Sequence, residues 1–310
     1  MIVEALGRVY EAAKRTDLDY APQISNYTGN HVWLKREDQQ PVFSYKIRGA
    51  YNLVASLDET ERARGVIAAS AGNHAQGVAL AASRLGIRAT LVMPKTTPEI
   101  KVNAVRRLGA RVVLHGNAYD DARIHARKLS AGEGSVYVPP YDHPLVIAGQ
   151  ATVGVEIMQQ LSATPDAVFV PVGGGGLLAG TALHLKSIDP AIRVIGVESD
   201  EAPCMHHAMA AGRRVTLKHV GIFVDGAAVR QAGAEPFRIC RELVDEVLLH
   251  QEMVVRRRDV ETALADGFAV PCNRKNVARA PCQRVHRTRI RAVRCVARVQ
   301  LAGEPVPDLD

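Results

Sequence analysis

The chain has 310 residues, 47% hydrophobic and 23% charged. That balance excludes collagen-like and wholly disordered architectures and suits about two domains or two lobes. There is no run of 18 apolar residues, no basic cap and apolar core in MIVEALGRVYEAAKRTD, and no C-x-x-C among five Cys. A membrane span, a secretory leader and a disulfide framework are therefore not expected, and a reducing cytoplasm is the expected compartment. The net charge of +7 is local: residues 271–300 hold eight Arg and one Lys without an acid, and with Glu304, Asp308 and Asp310 the last forty residues carry +6 of it. Residues 1–270 are nearly neutral, so the basic balance says little about the main body.

In chain order, HVWLK (31–35) reads as a buried strand, SYKIRGAYNLVASL (44–57) as a helix and GVIAAS (65–70) as a strand. Helix NHAQGVALAASRLG (73–86), strand RATLVM (88–93), helix PEIKVNAVRRLG (98–109), strand RVVLH (111–115) and helix YDDARIHARKLSAG (119–132) follow. The second half offers helix PLVIAGQATVGVEIMQQL (144–161), strand AVFVPV (167–172), a helix starting at LLAGTALHLK (177–186) and strand RVIGVE (193–198). Gly86, Gly109 and Gly132 suit helix C′ positions. Short Val/Ile/Leu-rich strands alternating with amphipathic helices predict an α/β fold with parallel sheet. Ligand sites in such folds lie in the loops beyond the strands' carboxyl ends.

Three such loops carry chemistry. In VPVGGGGLLAG, Gly173, Gly174, Gly175 and Gly176 join a strand to a helix beginning near Leu177. Four consecutive Gly are conformationally costly unless backbone N–H groups must converge on an anion at a helix start. A tight turn is the plainer alternative. A second functional alternative is a dinucleotide fingerprint, Gly174-x-Gly176-x-x-Ala179, with Glu198 as ribose-binding acid. The loop alone does not separate these. In SAGNH, Ser70, Gly72, Asn73 and His74 open a helix whose N–H groups favour a carboxylate, while Asn73 can serve a ring oxygen; alternatively Ser70 or Asn73 simply caps the helix. Lys46 stands near a helix start between Tyr45 and Ile47, where it is either a nucleophilic amine or an ordinary solvated Lys.

The ordered set SYKIRGAYN, SAGNHAQG and VPVGGGGLLAG resembles the signature of pyridoxal-phosphate enzymes of the tryptophan-synthase-β fold. LKREDQQPVFSYKIRGAYN, VPPYDHPLVIAGQAT and VGIFVDGAAVRQAGAEPFRIC resemble the biosynthetic threonine dehydratase (threonine ammonia-lyase) branch of that fold. The likeness covers about residues 1–266. TDLDYA, where the family usually reads Thr-Pro-Leu, is a peripheral departure. The resemblance implies a two-lobed catalytic domain over 1–268, with a smaller lobe at about 38–138 inserted in the larger. It implies pyridoxal 5'-phosphate held as a Schiff base by Lys46, with Asn73 on the ring oxygen. Gly173 to Gly176 and the Leu177 amide would form the phosphate cup. Ser70, Gly72, Asn73 and His74 would hold the substrate carboxylate, and Glu198 would be an acid near the cofactor rather than a ribose ligand. The implied reaction converts L-threonine to 2-oxobutanoate and ammonia, the first step of isoleucine biosynthesis, with L-serine a weaker substrate and a dimer or tetramer as the assembly. A serine/threonine dehydratase-racemase of the same fold is the near alternative.

After DVETALADGF the resemblance stops. The family continues with a strand and a Glu-Pro-Ser/Ala-Gly-Ala loop that brings a hydroxyl to the pyridine nitrogen. Here Ala269 leads into Arg-, Cys- and Pro-rich text without periodicity, as a GC-rich gene gives when read out of frame. The expectation is that 269–310 is a basic tail of coil or stray helix. The family's C-terminal regulatory domain would be absent, making the chain insensitive to isoleucine, and the product weak or inactive. The alternatives are a disordered arm that binds nucleic acid, or a zinc site from Cys272, Cys282, His286 and Cys295. His206–His207 is expected on a surface helix, and no metal site is expected elsewhere.

Overall fold

The computed structural model describes residues 1–221, 224 and 226–250. The expectations for the 269–310 tail lie outside the described residues.

The first helix, α1 (Ile2–Val9), buries Ala5 and Val9 against Ala148. β1 (Leu18–Tyr20) and β2 (Trp33–Lys35) then pair antiparallel, with α2 (Pro22–Thr28) between them. This corrects the reading of HVWLK as a buried strand of the parallel sheet. Its partner is the neighbouring LDY segment, paired antiparallel with Leu18 opposite Lys35 and Tyr20 opposite Trp33. Val32 and Lys35 are fully enclosed, Trp33 and Leu34 half-buried and His31 exposed. A single 3-10 turn (Glu37–Gln39) leads to α3 (Lys46–Ala55). α4 (Glu59–Arg64) starts at a capping box in which Asp58 and Glu61 satisfy each other's backbone N–H.

β3 (Val66–Ala69), α5 (Asn73–Arg84), β4 (Ala89–Met93), α6 (Glu99–Arg107), β5 (Arg111–Leu114), α7 (Tyr119–Glu133) and β6 (Val136–Tyr137) follow as an alternating unit. The strands form a parallel sheet in the order β5-β4-β3-β6. Every residue of the inner strand β3 is buried, as two-sided coverage requires. β5 lies at the edge with Arg111 and Leu114 exposed, so RVVLH is not the buried strand its composition suggested. Gly86 and Gly109 take the expected left-handed conformation, at φ 65° and 87°. Gly132 does not. It lies inside α7, which runs on to Gly134 (φ 71°), because Gly134 is the glycine whose N–H reaches the Ser130 carbonyl at 2.9 Å.

The second unit comprises α8 (Pro144–Gln160), β7 (Ala167–Pro171), α9 (Gly176–Ile188), β8 (Arg193–Ser199), α10 (Cys204–Ala211), α11 (Ala234–Leu243) and β9 (Glu246–His250). Its sheet is parallel, in the order β7-β8-β9. One core forms around α3, α5 and the four-stranded sheet, with Ile47, Val54, Val78 and Leu91 at its centre. Another packs α8, α9 and α10 on the three-stranded sheet through Ile157, Val168, Leu178 and Met205. Helix α8 joins the two units by close backbone approach. A Cβ on Gly149 would stand 2.6 Å from the Arg48 carbonyl of α3, and one on Gly180 of α9 would stand 2.5 Å from the Ile147 carbonyl. The helices that begin at Lys46 and at the glycine loop are thus both seated on α8. Among the described residues no helix is long and apolar enough to cross a membrane.

Candidate active site

Lys46 is the first residue of α3 and is half-buried. Its Nζ donates to the Pro140 carbonyl at 2.8 Å and lies 5.3 Å and 5.9 Å from the ring centroids of Tyr45 and Tyr141. The start of α3 is held from behind by an enclosed charge cluster. Arg48 is completely buried, and its guanidinium binds Glu37 at 2.7 Å and Glu156 at 2.5 Å. Lys35 meets the other oxygen of Glu156. Burial works against the Glu156 carboxylate, yet the hydrogen bonds and charges of Arg48 and Lys35 hold its pKa below the usual value. Burial also disfavours the Arg48 charge, but Glu37 and Glu156 more than offset it.

Asn73 opens α5, and Gly72 stands in the N-cap position without a side-chain cap. The plainer alternative, in which Ser70 or Asn73 caps the helix, therefore does not hold. Ser70 Oγ accepts the Gly72 N–H at 3.2 Å within the loop itself. Asn73 makes no side-chain hydrogen bond to any described residue, and it lines one cleft with Lys46 and Gly173. The cleft measures about 490 Å³ including its open mouth and is also lined by Glu37, Phe43, Ser44, Tyr45, Pro171, Val172, Gly226 and Ala227. Helix α5 is fixed to α3 at this point, since a Cβ on Gly77 would meet the Lys46 carbonyl carbon at 3.2 Å.

The His74 ring turns away from the loop into the core. It is buried, with Nε2 2.9 Å from the Val138 carbonyl. Burial, reinforced by the Lys46 charge, lowers its pKa to about 3, so the ring is neutral. Its side chain is committed to the core, and only its backbone N–H is left for a ligand.

Gly173 reaches the cleft, and Gly174 and Gly176 lie against Tyr141, with Gly175 between them against Met205 and Pro236. Gly175 is the left-handed N-cap of α9 at φ 91°. A Cβ on Gly174 would overlap the Tyr141 ring, and one on Gly175 would overlap the Met205 methyl. Leu177 is buried in the first turn. These glycines are required because the chain passes directly beneath an aromatic ring while turning its N–H groups to a helix start, where an anion is favoured.

Glu198 is 1% exposed and accepts the N–H groups of Met205 (2.9 Å) and His206 (2.8 Å), so it caps α10. Burial pushes its pKa up to about 7, with the two N–H groups partly offsetting. Cys204 lies between Glu198 and the Gly173 carbonyl, with Sγ 3.5 Å from each. The acid of the dinucleotide fingerprint is thus consumed by a helix cap. His206 Nδ1 is 2.8 Å from the Val247 carbonyl, and no group of three or more metal-ligating side chains occurs among the described residues.

The segment 138–143 was not singled out as a site from sequence, yet it joins Lys46 to the glycine turn and to the starts of α8 and α11. Pro140 receives Lys46, Tyr141 covers the glycines, Asp142 accepts the Ala234 and Glu235 N–H groups at the start of α11, and His143 caps α8. The available signal was local: a His directly before the Pro that begins a helix.

An amine and a neighbouring amide on one cleft, with Gly173 leading from its wall into the start of α9, suit a cofactor with a carbonyl, a ring oxygen and an anionic group. The chemistry of the cradle fits such a group: among the described residues the Asn73 side chain has no hydrogen-bond partner, and the Gly173–Gly176 turn brings no side chain of its own to the site. The profile of the family described as "Pyridoxal-phosphate dependent enzyme" matches residues 9–294. The chain belongs to that family. Its matched region extends beyond residue 269, where the composition changes.

Among relatives, the chain is 54% identical over 242 residues to "Threonine dehydratase 1 biosynthetic, chloroplastic" of Solanum lycopersicum, covering 78% of this chain and 40% of that protein. It is 50% identical over 240 residues to the biosynthetic L-threonine dehydratase of Escherichia coli strain K12, covering 77% and 46%. The chain therefore spans about half the length of these curated relatives or less. Among solved structures, the processed form of threonine deaminase isoform 2 from Solanum lycopersicum aligns with TM-score 0.78 and 49% identity, over 81% of this chain and 73% of that one. The threonine deaminase of T.th. aligns with TM-score 0.81 and 31% identity, over 99% and 98%.

Proposed function

We propose that this chain is the catalytic part of a threonine ammonia-lyase that converts L-threonine to 2-oxobutanoate and ammonia for isoleucine biosynthesis, with L-serine a weaker substrate. The observation that carries the proposal is the convergence of Lys46, Asn73 and Gly173 on one cleft, in a chain half-identical to biosynthetic threonine dehydratases.

Lys46 Nζ would hold pyridoxal phosphate covalently, the Asn73 amide would donate to its ring oxygen, and the open N–H groups from Gly174 to Leu177 would take its phosphate. When bound, that cofactor supplies a conjugated sink for the electron pair left at the substrate α-carbon. The remaining work falls to the chain. Lys46 Nζ, when released from its covalent link, is the base for the α-proton. Its contact with Pro140 restricts where that amine swings. N–H groups at the start of α5, beside Ser70 and Gly72, hold the substrate carboxylate. Loss of the β-hydroxyl as water leaves an enamine that hydrolyses to the oxo acid and ammonia. The remaining parts of this reading are a cytoplasmic dimer or tetramer and a smaller lobe at about 38–138. So is the proposal that 269–310 is a tail foreign to the catalytic fold.

The test is to purify the chain, reduce it with borohydride and map the pyridoxal label. Label on Lys46 together with formation of 2-oxobutanoate supports the reading. A protein that takes up no pyridoxal phosphate, or labels elsewhere while losing no activity, overturns it.

A further inference from the structure

Phe43 is the only non-glycine residue with positive φ among the described residues, at φ 54°. A bulky side chain in that region is an outlier that the surrounding structure must enforce. The enforcement is visible on both sides. Gln40 is 1% exposed, exchanges hydrogen bonds with the Lys14 backbone and donates to Glu37, and its carbonyl accepts the Phe43 N–H at 2.7 Å. Val42 and Ser44 are buried on either flank, and Ser44 Oγ accepts the Lys46 N–H at 3.3 Å. Between these fixed neighbours the Phe43 ring is 57% exposed. It is not packed in the core, so core packing does not explain the strain. It stands instead on the cleft that holds Lys46 and Asn73.

We propose that Phe43 is a specificity-determining residue, an aromatic wall that receives the γ-methyl of the amino-acid substrate and so favours threonine over serine. The proposal rests on the functional reading above. The turn 40–44 holds the ring at the mouth of the cleft, where it covers apolar substrate surface without touching the reacting atoms. Burying one extra methyl group is worth about fourfold in affinity, the equivalent of ~0.8 kcal/mol.

The experiment compares Phe43→Ala and Phe43→Gly with the parent chain, each loaded with pyridoxal phosphate. Two ratios are measured: kcat/KM for L-threonine over L-serine, and equilibrium affinity for L-2-aminobutyrate over L-alanine by spectral titration. The second pair also differs by a γ-carbon and has no leaving group. Both ratios should fall about fourfold in both variants, with cofactor absorbance unchanged. Phe43→Gly should melt at or above the parent, since glycine accepts this φ without strain. Unchanged ratios in both variants overturn the proposal. So does a change of sedimentation mass without a change of ratio, which would make Phe43 a contact for a second copy. A parent chain that binds no pyridoxal phosphate overturns the functional reading itself, and this inference with it; a parent that binds both amino acids with unaltered variants defeats this inference alone.

Discussion

Gly174→Ala is the sharpest perturbation the geometry offers, because the nearest atoms the added methyl meets all belong to one ring. Its Cβ would stand less than 3.0 Å from three Tyr141 ring atoms, a separation that real Cβ atoms do not adopt. The ring cannot simply swing aside. Its backbone lies against Gly176, the adjacent Pro140 carbonyl receives Lys46, and the adjacent Asp142 carboxylate caps α11. Overpacking of this kind costs about 1–3 kcal/mol. Urea denaturation of the cofactor-free protein reads that loss, and titration with pyridoxal phosphate should show affinity reduced about tenfold for each ~1.4 kcal/mol carried into the loop. In a Tyr141→Ala background the same change should cost less by at least ~1 kcal/mol, since the obstacle is gone. Gly7→Ala in α1 is the control: nothing lies within 4 Å of its Cβ, so this change should stabilise by about 0.5–1 kcal/mol. A Gly174→Ala protein as stable as its parent, with no coupling to Tyr141, would refute the steric account of the glycine loop.

Further outcomes follow from the same contacts. Lys46→Ala should abolish both borohydride-fixed label and turnover, because no other amine on the cleft duplicates it; residual turnover in a quenched assay would contradict this. Asn73→Ala should leave the fold intact and weaken cofactor binding by roughly 1.5–3 kcal/mol, the value of a hydrogen bond to a charged group, with unaltered cofactor affinity as the contrary result. Glu156→Ala should cost about 3–5 kcal/mol in urea denaturation, since it strands Lys35 and Arg48 inside the protein. Glu198 has a folded pKa raised to about 7. Its stabilising contribution is therefore full below the ordinary carboxyl value near 4.5 and is lost as pH rises through 7, a change of roughly 3 kcal/mol. Glu198→Gln should flatten that part of the stability profile, measured from pH 4 to 8, and an unchanged slope would show that another group titrates.

The parallel sheet was legible because β3 and β4 must be apolar on both faces and announce themselves as VIAA and ATLVM. β2 misled for the same reason: WLK is apolar enough to resemble an inner strand, and only pairing with β1 reveals the ribbon. Lys46, Asn73 and Gly173 were legible as loop residues after strands, since loops reveal themselves by small and polar residues. Pro140 and Tyr141 were not. Their meaning lies in contacts to Lys46, 94 positions away in the chain, and to the glycines, and no local periodicity encodes such a meeting. The Asp58–Glu61 capping box was written plainly in the chain as D-x-x-E, so α4 could have been placed. The depth of His74 could not, because a histidine after Asn73 at a helix start looks the same whether its ring faces ligand or core.

What separates scaffold from site here is the state of the polar groups rather than their burial. Arg48 spends its whole guanidinium within the chain, on Glu37, Glu156, Thr152 and the Lys14 carbonyl. Such a group is closed: it has nothing left to offer a ligand, and its role is to hold α3 on α8. Asp142 and Glu198 are closed in the same way, each with both oxygens spent on a helix start. Across the cleft the accounting differs. Among the described residues the Asn73 amide has no partner, the N–H groups of the turn from Gly174 to Leu177 have no backbone acceptor, and Lys46 is engaged only by the neutral Pro140 carbonyl and the faces of Tyr45 and Tyr141. An open donor in a half-buried cleft loses water contacts without replacement unless a ligand restores them, at about 1–3 kcal/mol for each group left unpaired. The closed groups surround the open ones, so the fold fixes their positions while leaving their valences to the ligand.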